Sequence, residues 1–141
     1  MIRMKCYVVV DTNVIVAALL SKHEDSATVQ VLNRLFGDEV KLLYSNGIEK
    51  EYEEVLRRPK FKFSKVEIDD LLGAIRHYGI LVHPRKTNAV LPDMRDLPFF
   101  ELVLEKREDN AYLVTGNIKH FPKEPFVVTP RELLEILDGS K

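Results

Sequence analysis

Short apolar runs alternate along this chain with longer stretches whose apolar residues recur every three or four positions. That pattern predicts buried strands separated by helices. The run Cys6 to Val10 predicts a strand over about 5–10 ending at Asp11, and the apolar stretch that follows predicts a helix over 12–20 buried on nearly every side. Ser26 is placed to cap a second helix carrying Thr28, Val31, Leu32, Leu35 and Phe36, which Gly37 closes. Val40 to Tyr44 predicts a second strand. Ser45 then caps a helix whose stripe is Ile48, Tyr52, Val55 and Leu56, ending before Pro59. Ser64 with Glu67 forms a capping-box pattern for a helix through Leu71, Leu72, Ile75 and Tyr78, stopped by Gly79. Ile80 to His83 predicts a short strand, and residues 84–92 a loop. A helix over about 97–107 has Pro98 in its first turn, Tyr112 to Thr115 predicts a strand, and Gly116 and Asn117 turn the chain. Phe126 to Val128 predicts the last strand, before a helix opened by Thr129 and Pro130 that runs through Leu137.

Strands separated by helices argue for an α/β, three-layer sandwich around a mostly parallel sheet. Sites in such sheets form at the carboxyl ends of strands. Asp11 and Asn117 fall at such ends, and Asp96 lies in the connection following another, so the three can share one rim. At 141 residues the expectation is a single domain spanning 1–141.

Composition narrows the function without naming it. The net charge of -1 excludes a global basic field, so any attraction to nucleic acid must come from a local patch. The one cysteine, Cys6, excludes an intramolecular disulfide and reads as a small buried hydrophobe suited to a reducing compartment. The first apolar run stops at Asp11, too short for a secretory signal, and every apolar run falls short of the ~18 residues of a membrane span. The expectation is a cytoplasmic protein that does not engage a membrane.

The candidate chemistry lies in the acids. Taken singly, Asp11 and Asp96 are well placed as helix caps, and Asn117 is an ordinary turn residue. Glu49 and Glu51 fall on opposite shoulders of one apolar stripe, so periodicity does not choose between them. Taken together they are costly. Like charges ~4 Å apart at an effective dielectric of 20 repel by about 4 kcal/mol, which demands protons or a cation. Oxygen donors alone favour Mg²⁺ or Mn²⁺ over zinc. His23, His77, His83 and His120 are scattered without ligand spacing and read as surface or half-buried residues.

The series of motifs resembles the PIN-domain ribonucleases. The strand followed by Asp11, Thr12 and Asn13, then Ser45 with Glu51 and the Leu56 to Pro59 segment, looks like the family's first two motifs. Asp93 to Asp96 before an apolar helix, and Val114 to Asn117, look like the third and fourth; Val128 to Leu134 resembles the C-terminal strand and helix. The likeness runs in order along essentially the whole chain and is greatest to VapC-like toxins of toxin–antitoxin pairs. It implies a PIN-like, Rossmann-like fold and a Mg²⁺- or Mn²⁺-dependent endoribonuclease that leaves 3′-hydroxyl and 5′-phosphate ends. It further implies a homodimer and a small antitoxin partner. By resemblance, Asp11, Glu51 and Asp96 are the metal-binding and catalytic acids. Glu51 is thereby chosen over Glu49, and Asp93 is left as a supporting group. Thr115 matches a catalytic hydroxyl near the metal, and Asn13 a residue that steadies the first acid. Asn117 stands at the fourth metal position, where many relatives carry Asp, and removes one negative charge.

Between Arg57 and Phe63 the cations Arg57, Arg58, Lys60 and Lys62 interleave with Phe61 and Phe63. This is either an RNA grip with a stacking surface or a solvated helix end. No Gly-rich phosphate loop and no GxSxG serine motif is present. Two rivals to the nuclease are a non-catalytic PIN-fold module binding RNA or protein, and another α/β phosphoryl-transfer enzyme.

Overall fold

The computed structural model describes residues 6–139. Five parallel strands form one sheet in the order β3-β2-β1-β4-β5, flanked by helices in a three-layer α/β sandwich. The strands are β1 (Cys6–Val10), β2 (Val40–Tyr44), β3 (Ile80–Leu81), β4 (Ala111–Val114) and β5 (Val127–Val128). The helices are α1 (Thr12–Leu20), α2 (Ala27–Arg34), α3 (Asn46–Leu56), α4 (Lys65–Tyr78), α5 (Leu97–Glu105) and α6 (Pro130–Leu137).

The central strands are apolar on both faces because both are covered. Val8, Val9 and Val10 of β1 and Leu113 and Val114 of β4 are all buried. Helix α5 packs on β1 and β4, α4 on β2, and α6 on β4 and α2. The helix starts follow the expected caps. Ser26 and Ser45 accept from Val29 and Ile48 amides, and Ser64 with Glu67 and Thr129 with Glu132 form complete capping boxes. At Gly79 the chain leaves α4 for β3 so tightly that a Cβ would meet the Ile75 carbonyl and the Tyr44 ring.

Element ends differ from the sequence reading where local turns compete. Residue 5 of the first expected strand lies outside the described residues. Helix α2 stops at Arg34, short of Gly37. Helix α5 stops at Glu105, and a 3₁₀ turn over Arg107–Asp109 takes the next residues to a left-handed Asn110. Strand β4 begins at Ala111 and ends at Val114, leaving Thr115 just beyond it. Strand β3, at the sheet edge, has only two exposed residues, and Tyr78, expected in the α4 stripe, is exposed and packs against Phe36.

Beyond β1 the chain first builds one side of the sheet, through β2 and β3, and then crosses back to add β4 and β5 on the other. The carboxyl ends of β1 and β4 therefore flank the reversal of strand order, where α/β sheets open a crevice.

Candidate functional site

Asp11 follows β1 directly and is 6% exposed. Its amide donates to the Val114 carbonyl (2.9 Å), continuing the β1–β4 ladder. Its carboxylate makes no capping bond to α1. Instead it accepts from the Thr115 hydroxyl (2.8 Å) and from the Thr12 amide. Thr115 is fully buried, and its oxygen also accepts from the Asn117 amide (3.0 Å). The turn after β4 thus fixes one hydroxyl, which fixes one carboxylate.

Asp11 looks into a cavity of about 610 Å³ that Glu51 and Asp96 also line. Burial pushes the Asp11 carboxyl up to about 6; the Asp96 and Glu51 charges push the same way, against the Thr115 hydrogen bond. Glu51 accepts a hydrogen bond from the Thr12 hydroxyl. One residue on, the Tyr52 hydroxyl donates to the Val10 carbonyl (2.5 Å), pinning α3 to the end of β1. Burial, then the Asp11 and Glu51 charges, hold that phenol well above its usual range. Asp96 precedes α5 without capping it by a side-chain bond, so its carboxylate stays available to the cavity. Burial and then Asp93 raise its pKa, while His120 and Arg95 oppose the rise.

Glu49 points elsewhere. It is ion-paired with Arg76 of α4, whereas Glu51 lines the cavity. Asp93 also lines it, but its carboxylate caps the turn over Met94–Asp96 and grips Arg95 (2.8 Å), which lowers its pKa to about 2. Asn13 lies exposed on the wall.

Four of the expected site residues, Thr115, Asn117, Arg57 and Lys62, do not line the cavity. Thr115 lies behind Asp11, fully buried, and does not line the cavity; its hydroxyl acts through the carboxylate it holds. The Asn117 side chain is exposed and also does not line the cavity, because Asn117 opens a 3₁₀ turn over Ile118–His120 and contributes its amide to Thr115. In the basic connector, Arg58, Lys60 and Phe61 line the cavity, but Arg57 and Lys62 do not. Arg57 is held by Glu53 (2.9 Å) and Asp69 (3.0 Å), and Lys62 is turned by a left-handed backbone (φ 59°).

Sequence reasoning took His120 for a surface or half-buried residue, and it is half exposed, but its place on the cavity wall was not foreseen. It lines the cavity with Nδ1 3.7 Å from Asp96 Oδ2, carried there by the turn after Asn117. It also missed the roles of Thr12 and Lys50, the latter an exposed cation on the same wall.

The donor set suits a hard divalent cation: carboxylate oxygens, one of them pushed toward protonation by burial and, less strongly, by the Asp96 and Glu51 charges. Among the described residues, no three His, Cys, Asp or Glu side chains already stand in positions that would hold an ion. The residues therefore fit such a cation in kind and share one cavity, with side-chain adjustment needed to close on it. No helix among the described residues is long and apolar enough to cross a membrane.

Comparison with protein families finds a match to the PIN domain over residues 7–119, a span that contains Asp11, Glu51, Asp93 and Asp96. Comparison with curated proteins and with solved structures finds no match.

Proposed function

The chain belongs to the PIN-domain family, whose function is of nuclease type, and on that footing we propose that it is a divalent-cation-dependent endoribonuclease. The observation that carries this reading is the buried Asp11, which makes no ion pair among the described residues and lines one cavity with Glu51 and Asp96. Asp11, Glu51 and Asp96 would hold Mg²⁺ or Mn²⁺, which supplies charge stabilisation at the scissile phosphate and a lowered pKa for an attacking water. The chain's own groups do the rest. Thr115 fixes Asp11, and Thr12 fixes Glu51. Tyr52 holds α3 at its distance from β1. Arg58 and Lys60 engage the phosphates on either side of the cleaved bond, beside the Phe61 ring. The water oxygen bonds to phosphorus as the bond from phosphorus to the 3′ oxygen breaks, giving 3′-hydroxyl and 5′-phosphate ends.

The order of motifs supports a further step, that the enzyme is the toxin of a toxin–antitoxin pair, a homodimer restrained by a small antitoxin. Incubation of the protein with single-stranded RNA and Mn²⁺ tests the core proposal. Cleavage that chelator abolishes and Asp11→Asn removes is the expected result; intact RNA under loading cation contradicts it. The absence of Asn117 from the cavity wall favours one rival, a module that binds RNA without cutting it, and retention of intact RNA in the same assay identifies that case.

A further inference from the structure

Asn117, the position expected to complete the acid set, is exposed and does not line the cavity, and three residues later the same turn brings a different group to it. We infer that His120 is a nitrogen donor to the cation held in this cavity, making the site a mixed nitrogen and oxygen one that prefers Mn²⁺ to Mg²⁺. This rests on the cation-dependent reading of the cavity proposed above.

The geometry is specific. His120 Nδ1 faces Asp96 Oδ2 at 3.7 Å, beyond the roughly 3.2 Å limit of a normal N–H···O hydrogen bond. No hydrogen bond of the His120 ring occurs among the described residues, and Asp96 makes no side-chain cap. Two ligands at right angles on one ion stand ~3 Å apart when each bond is about 2.1 Å. A small side-chain rotation brings this imidazole and carboxylate to that spacing. Half of the His120 side chain is exposed, which leaves the ring room for such a movement.

Chemistry points the same way. Asp11, Glu51 and Asp96 offer oxygen only, which suits Mg²⁺ and Mn²⁺ alike. Imidazole nitrogen suits the transition ion and is poorly matched to Mg²⁺, so one such donor separates the two. Arg95, one of the charged neighbours of Asp96 on this wall, has Asp93 as its ion-pair partner, and Asp93 in turn adds negative charge beside Asp96. Arg95 adds positive charge beside the site, which weakens every divalent cation equally and does not discriminate between them.

Pulsed electron paramagnetic resonance of the full chain loaded with Mn²⁺ alone tests this directly, with direct titrations of Mn²⁺ and Mg²⁺ beside it. The expected result is ¹⁴N modulation of the bound Mn²⁺ signal, lost in His120→Gln. That variant should also bind Mn²⁺ roughly tenfold more weakly, with Mg²⁺ affinity changed less than about twofold. Circular dichroism confirms that the exposed substitution leaves the fold intact. Bound Mn²⁺ without nitrogen modulation, modulation that persists in His120→Gln, or equal loss of Mn²⁺ and Mg²⁺ affinity overturns the role of His120 and leaves the cavity as a cation site. Failure of the wild-type chain to bind either ion overturns the cation-dependent reading itself.

Discussion

Two glutamates of the same helix, two residues apart, meet opposite fates. Glu49 faces α4 and is neutralised by Arg76. Glu51 faces the carboxyl ends of the sheet, where it lines one cavity with Asp11 and Asp96 and, among the described residues, its hydrogen-bond partner is the Thr12 hydroxyl. The contrast extends along the surface. Glu53, Asp69 and Lys65 close a network with Arg57, while among the described residues Asp11 and Glu51 make no ion pair. On α3 and α4 the chain pairs Glu49, Glu53 and Asp69 with cations. Carboxylates left unpaired in the one place where burial makes pairing most valuable mark a site kept open for a ligand of positive charge.

The largest expected effect comes from exchanging these fates. Asp11→Asn and Glu51→Gln should each lower RNA cleavage on the order of 10³-fold, the scale set by loss of a group that stabilises transition-state charge. Glu49→Gln should leave cleavage unchanged and stability within about 0.5 kcal/mol. Equal losses at Glu49 and Glu51 would erase the distinction.

The next effect is on stability. The Asp11 carboxyl is raised from its ordinary value to about 6. Between roughly pH 4 and pH 6 the folded chain therefore binds more protons than the unfolded one at this group, and its stability falls as pH rises. Over about two pH units the loss is about 3 kcal/mol, complete above pH 6 and absent below pH 4. Urea unfolding without divalent cations should show this decline, and Asp11→Asn should abolish it. A wild-type profile as flat as the variant's would mean that Asp11 is not strained.

Thr115→Val comes next in size. Removing the buried hydroxyl leaves the Asp11 carboxylate and the Asn117 amide without it, at a cost of about 1–3 kcal/mol, while Thr115→Ser should restore most of the loss. Smallest is the effect at the connector. Arg58→Ala should weaken RNA binding and reduce its salt slope by about 1, whereas Arg57→Ala, whose guanidinium is already engaged by Glu53 and Asp69, should leave the slope unchanged. Filter binding across a salt series separates them.

Much of this was legible in the residues, for identifiable reasons. The strands are apolar runs because both sheet faces are covered, and the capping residues Ser26, Ser45, Ser64 and Thr129 announce their helices. Asp11 was legible because a carboxylate between two buried elements needs a reason. Glu51 was not separable from Glu49 by periodicity, since both flank one stripe and the difference lies in where Arg76 arrives from α4. That His120 lines the cavity and Asn117 does not was illegible because a 3₁₀ turn advances the chain by a spacing that neither strand nor helix patterns encode. Arg57 was misplaced for the same kind of reason. Its partner Asp69 lies on the next helix, and sequence spacing does not show which face of the connector meets it.

The most direct test of an unpaired acid site awaiting a cation is unfolding of the wild-type chain and Asp11→Asn at pH 7, each with chelator and with saturating Mn²⁺. With chelator the variant should be the more stable of the two, and Mn²⁺ at a hundred times its dissociation constant should stabilise only the wild-type chain, by about 2.7 kcal/mol. A wild-type chain that is already the more stable without cation, and indifferent to Mn²⁺, would contradict the account.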